Sequence, residues 1–125
     1  MPKGGVARRA TVIKEVRSAP DQAILVLDAG NTLFGQRLAN ETEGSIIVEA
    51  MNAMGYDAMA VGQLDLSRGI DVLLQRANEA QFAVLSCNIV STQDGELVLA
   101  PYTVIEHDLA RGPLSRCYPG GACAG

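Results

Sequence analysis

The chain is 125 residues long, 48% hydrophobic and 19% charged, a globular composition with room for one domain burying roughly two thirds of its unfolded surface. A net charge of −4 argues against a nucleic-acid-binding face, and no apolar run approaches the ~20 residues that span a bilayer. Aromatic residues make up 4% and there is no tryptophan, so the core has to come from Val, Ile, Leu, Ala and Met.

The N-terminus, Met1-Pro2-Lys3-Gly4-Gly5, carries no apolar stretch of the kind that marks an export signal. Val6, Ala10 and Ile13 then recur at helical spacing between charges, which predicts an amphipathic helix over 6–18. Its basic cluster, Arg8, Arg9, Lys14 and Arg17, reads as a solvated face. After Pro20, the continuous run Ala23-Ile24-Leu25-Val26-Leu27 has the length and character of a strand buried on both faces. Residues 31–44 are polar and turn-rich and read as a loop with room to fold over a site.

A second helix follows, with Ile46, Ile47, Ala50, Met51 and Met54 on one face and Gly55 as its stop. Ala58 to Val61 is the next strand, ending at Gly62. Ile70, Leu73, Leu74 and Ala77 mark a third helix, with Asp71 in its first turn where the helix dipole favours acid. Phe82 to Ile89 reads as a third strand, Asp94-Gly95 as a turn, and Tyr102 to Ile105 as a further strand or hairpin arm. Strands alternating with helices predict parallel βαβ units. From Ala110 the glycine- and proline-bearing sequence cannot continue a sheet, so a folded domain over 1–109 and a disordered tail over 110–125 are expected.

Three cysteines do not close a disulfide framework. Cys87, in a strand-like run, reads as a small core residue. Cys117, Cys123 and the single histidine, His107, have spacings that fit no zinc pattern.

Two turns stand apart from the rest. Val26-Leu27-Asp28-Ala29-Gly30-Asn31-Thr32 and Ala60-Val61-Gly62-Gln63-Leu64-Asp65 are both apolar runs that end in a glycine and deliver polar side chains at the carboxyl end of a strand. In an open α/β sheet that is where ligands bind. Asp28 is placed to fix its own turn through backbone N–H groups. Asp65 is placed either as an acid at a helix N-terminus or as a ligand, and Asn88 at the end of the third strand is placed either to hydrogen-bond within a buried turn or to line the same crevice.

In order and spacing, these segments resemble the metal-dependent phosphoesterase domain of the 5′-nucleotidase family. The matching stretches are Gly4 to Ala10, Leu27 to Thr32, Val48-Glu49-Ala50-Met51-Asn52-Ala53-Met54-Gly55-Tyr56-Asp57-Ala58, Ala60-Val61-Gly62, Leu85 to Ile89 and Pro101-Tyr102-Thr103. The long run from Val48 is the most specific, because helical periodicity alone requires only apolar residues there. The resemblance implies a partial metallophosphatase-type α/β/β/α sandwich built from βαβ units. It also implies two divalent cations, Mn²⁺, Zn²⁺ or similar, that clamp a phosphate ester and activate water for in-line attack.

Position by position, the resemblance puts the metal-bridging aspartate at Asn31, the ligand asparagine at Gln63, the catalytic histidine at Leu64 and the acidic residue at Asp65. Metal ligation therefore falls to Asn31, Gln63 and Asp65, with Asp28 and Asn88 behind them. An amide lacks the charge that holds two dications together, and leucine neither ligates nor donates. The family's Asp-x-His strand falls before Gly4 and its later histidines fall beyond residue 125. The expectation is thus an N-terminal fragment of a phosphate-monoester hydrolase acting on a nucleotide or another phosphate ester, inactive by itself. The alternative is a non-catalytic phosphoesterase-like scaffold or binding module, and a third, a small flavodoxin-like nucleotide binder, has only one glycine in its turn to support it. Relatives of this kind are typically periplasmic or extracellular. The oligomeric state is open.

Overall fold

Three short strands, β1 (Leu27–Asp28), β2 (Ala58–Ala60) and β3 (Ala83–Leu85), pair in parallel in the order β1-β2-β3, as the alternation of strands and helices predicts. The computed structural model describes residues 5–20 and 22–106; the expected tail over 110–125, His107, Cys117 and Cys123 lie outside them. Two compact units divide the chain, Met1–Leu25 with Thr103–Gly125 and Val26–Tyr102.

In the first unit, α1 spans Val6–Arg17, with Lys14 and Arg17 in its last turn, where cations complement the helix dipole. Ala10 and Ile13 are its half-buried residues and the others are exposed.

The second unit holds the sheet: β1 (Leu27–Asp28), β2 (Ala58–Ala60) and β3 (Ala83–Leu85), with the helices α2 (Arg37–Glu41), α3 (Ser45–Met54) and α4 (Ile70–Glu79) between them. In register, Leu27 faces Ala58 and Asp28 faces Met59, while Ala58, Met59 and Ala60 face Ala83, Val84 and Leu85. The central strand is therefore the short Ala58–Ala60 run, with Met59 1% exposed, and not the longer apolar run before it. Leu27 is 61% exposed: β1 lies at the edge of the described sheet, which overturns the expectation of a strand buried on both faces.

The helix expected around Ile46 to Met54 is α3, and Gly55 ends it in a left-handed conformation (φ 70°). Its buried residues are Val48 and Met51, so the apolar face is centred one residue off the Ile46 and Ile47 expectation. In α4 the buried pair is Leu73 and Arg76, whereas Ile70 is exposed. Arg76 is buried along its whole length, and its guanidinium pairs with Glu79 at 3.0 Å. Asn52 ties the two helices together: its Nδ2 donates to the Glu79 carbonyl at 3.0 Å and its Oδ1 accepts from the Gln81 N–H at 2.7 Å. Tyr56 and Phe82, tilted at 55° with centroids 6.4 Å apart, pack beside them.

Residues 31–44 are not a free loop. Leu33, Phe34 and Ala39 are buried and α2 forms within the segment, so its apolar residues anchor it to the core. Cys87 is exposed, because β3 ends at Leu85 and the chain turns outward before it. Tyr102–Ile105 forms no strand. The hairpin lies earlier: Val90 bridges Leu97, the Val98 N–H donates to the Ile89 carbonyl, and Asp94-Gly95 makes the turn as expected. There the Asp94 carboxylate accepts from the Glu96 N–H at 3.0 Å, which, with Ser91, holds it below the usual carboxylate range.

Leu73 is fully buried, so Leu73→Ala is expected to cost about 2–5 kcal/mol through lost transfer energy and a residual cavity. Ile70→Ala, one turn earlier at an exposed position, is expected to cost well under half of that. Urea unfolding of both variants checks the ranking.

Candidate functional site

Because β1 and β2 are parallel neighbours, their carboxyl ends emerge side by side, and the two glycine turns meet there. The approach is close. A Cβ on Gly30 would lie 2.7 Å from the Gly62 nitrogen and 2.8 Å from the Ala60 carbonyl oxygen, and a Cβ on Gly62 would fall on the Asn31 side chain. Glycine at both turns is a packing requirement of the pair and not only a turn preference.

The first turn is fixed from within. Asp28 Oδ1 accepts from the Gly30 N–H at 2.9 Å and from the Thr32 hydroxyl at 2.5 Å, the side-chain-to-backbone pattern of an Asx turn. Asn31 then adopts a left-handed conformation, φ 58°, which asparagine tolerates better than most residues. The second turn runs into a 3₁₀ helix, Gln63–Leu66, an element that neither spacing nor composition anticipates.

Asp65 joins the two. It is completely buried. Its Oδ2 accepts from the Asn31 N–H at 2.7 Å and the Gly62 N–H at 2.9 Å; its Oδ1 accepts from the Thr32 N–H at 3.0 Å and the Leu33 N–H at 3.0 Å. In return, Asn31 Oδ1 accepts from the Leu64 N–H at 2.8 Å. Each turn thus holds the other across more than thirty residues of sequence.

The remaining candidates lie around this junction. Gln63 is exposed, and Leu64 is 52% exposed. Asn88 is exposed and accepts from the buried Ser86 hydroxyl at 3.0 Å, a local contact just beyond β3. A groove of about 390 Å³ opens beside the turns, lined by Phe34, Gly35, Asn40, Leu64, Ser67 and Arg68.

The donor set does not fit a pair of divalent cations. The Asp65 oxygens and Asn31 Oδ1 are engaged by backbone N–H groups. Leu64 offers no donor atom. Among the described residues, no group of three or more His, Cys, Asp or Glu side chains is placed to hold a metal ion.

Of the sequence candidates the junction brings together Asp28, Asn31 and Asp65, with Gln63 and Asn88 outside its hydrogen bonds; the sequence does not anticipate Thr32 or the contact between Gly30 and Gly62. The repeated glycine at two strand ends was the available signal, since adjacent parallel strands bring such turns together.

No family model matches the chain. Individual proteins do. The chain is 44% identical over 90 residues to a snake venom 5′-nucleotidase of Gloydius brevicauda, a match covering 69% of this chain and 15% of that protein. It is 36% identical over 108 residues to a human 5′-nucleotidase, covering 82% of this chain and 18% of the relative. Among solved structures it is similar to a 5′-nucleotidase precursor of Thermus thermophilus, at 31% identity and TM-score 0.75, covering 84% of this chain and 21% of the other. It is also similar to a calcineurin-like phosphoesterase of Bacillus subtilis, at 25% identity and TM-score 0.78, over 94% of this chain and 38% of the other. The chain thus spans less than a fifth of the length of the curated relatives it matches.

Proposed function

Since the chain belongs to the 5′-nucleotidase family of metallophosphoesterases, we propose that it is a stretch of the phosphoesterase domain of an enzyme releasing phosphate from nucleoside 5′-phosphates. By itself, on this reading, it turns over no substrate. The observation that carries the enzyme class is the 44% identity over 90 residues to a protein named for that activity. What supports inactivity of the isolated chain is the donor set: leucine stands where the resemblance puts the catalytic imidazole, and the only acid of the second turn is spent on backbone N–H groups. Venom 5′-nucleotidases among the relatives favour an exported parent. No helix among the described residues is long and apolar enough to cross a membrane.

A second reading is a phosphoesterase-like module that binds without catalysis. The groove bounded by Phe34, Leu64 and Arg68 favours it, because it puts an aromatic edge and a cation beside the turns without requiring a metal.

Phosphate release from AMP by the purified chain, with and without Mn²⁺, tests the first reading. No release above the uncatalysed rate is expected. Release that EDTA abolishes and that follows enzyme concentration would refute the claim of inactivity. A thermal melt with AMP in EDTA separates the second reading: stabilisation that Arg68→Ala removes supports binding in the groove, and an unmoved melt counts against it.

A further inference from the structure

We infer that this chain closes the junction of its two site turns with its own hydrogen bonds in place of divalent cations, with Asp65 and Asn31 as the positioning residues. The inference concerns the fold of this chain and stands whether or not a longer protein hydrolyses nucleotides.

It starts from lone pairs. A carboxylate has about four acceptor sites on its two oxygens, and Asp65 has four backbone N–H donors at 2.7–3.0 Å, two on each oxygen. The group is saturated. Its residue is also fully buried, so a cation reaching it would have to displace donors that are already paired. Stranding a buried N–H costs free energy of the same order as the hydrogen bond it loses.

Asn31 closes the other side. Its side-chain oxygen already takes the Leu64 N–H, and its amide fills the space that the missing Cβ of Gly62 leaves open. The backbone of Asn31 sits at φ 58°, and its own N–H reaches Asp65 at 2.7 Å. A bridging ion needs an anionic oxygen from this turn and room beside it. The structure offers an amide, and its oxygen is already engaged by the Leu64 N–H.

Three of the four donors to Asp65 come from consecutive residues, Asn31, Thr32 and Leu33. Successive N–H groups converging on one point form an anion-binding concavity. That polarity suits a carboxylate and opposes a cation. The β1 turn therefore presents positive partial charge where a metal site requires negative charge.

The test uses the full chain and Mn²⁺, a cation that the cysteines bind poorly. Thermal melts in EDTA and in millimolar Mn²⁺ are expected to superimpose. The amides of Asn31, Thr32, Leu33 and Gly62 are expected to be protected from hydrogen exchange in EDTA alone. A rise in Tm with Mn²⁺ overturns the inference, since a ligand that binds only the folded state must stabilise it. So does fast exchange of those four amides in EDTA, or a chain that folds only when Mn²⁺ is added. Loss of AMP turnover or its presence in a longer protein leaves these readouts unmoved, which keeps this inference separable from the proposed function.

Discussion

Asp65→Ala is expected to destabilise the chain by about 4 kcal/mol or more, the largest loss of any single side-chain truncation outside the apolar core. Four backbone N–H groups lose a charged acceptor at once, and hydrogen bonds to a charged group are worth about 1.5–3 kcal/mol each when a single one is removed. The sum is not additive, because three of the donors share one turn and water can enter beside the exposed Asn31 to recover part of it. Even the discounted figure takes roughly a quarter to four fifths of a net stability of about 5–15 kcal/mol.

Asp65→Asn discriminates charge from shape. The amide has nearly the same volume but turns one oxygen into an NH₂ donor, which then faces either the Asn31 and Gly62 pair or the Thr32 and Leu33 pair. A loss close to that of alanine is expected. Asp28→Ala is the internal comparison: its hydrogen bonds from Gly30 and Thr32 lie inside one turn, two against the four at Asp65, and a loss of about 1.5–3 kcal/mol is expected. Urea denaturation at neutral pH reads all three. An Asp65→Ala loss below that of Asp28→Ala would show that the junction is held by something other than this carboxylate.

Much of the architecture is legible in the sequence because periodicity reports burial. The existence of α3, its stop at Gly55 and the short β2 run follow from spacing and from a glycine with left-handed preference. What escapes is relational. The run Ala23 to Leu27 looks like a central strand on composition, yet position in a sheet depends on which neighbours pair with it, and no local pattern carries that. Cys87 looks like a core residue for the same reason, since the end of β3 is set by where its partner strand stops. Arg76 breaks the apolar pattern of α4 although it is buried, because its charge is met by Glu79 one turn on, a pairing that hydrophobic periodicity does not report.

The site divides along the same line. Asp28 is readable because the Gly30 and Thr32 groups it bonds lie two and four residues away. Asp65 is visible as an acid beside a helix start, but its grip on Asn31, Thr32 and Leu33 spans 32 to 34 residues. The resemblance that picked out Asn31, Gln63 and Leu64 identifies equivalent positions. It cannot say that the substituted side chains have been taken up by a different set of bonds.

Gly30→Ala is the second large effect, and its size depends on separating strain from collision. Gly30 has φ 96°, and an added Cβ would stand 2.7 Å from the Gly62 nitrogen and 2.8 Å from the Ala60 oxygen. Both are backbone atoms of the neighbouring turn and strand, so no rotamer change relieves the contact. Gly35 supplies the control: its φ is 106°, yet nothing lies within 4 Å of the built Cβ. Gly35→Ala therefore reports backbone strain alone, about 1–2 kcal/mol. Gly30→Ala carries the same strain and must also drive the two turns apart. That movement lengthens the bonds from Asn31 and Gly62 to Asp65, so a loss of about 3–5 kcal/mol is expected. The coupling is itself measurable. In an Asp65→Asn background the junction is already loosened, and Gly30→Ala should then cost little more than Gly35→Ala. If it retains its full cost there, the collision with Gly62 is independent of the clasp, and the two turns are held together by the strand ladder instead.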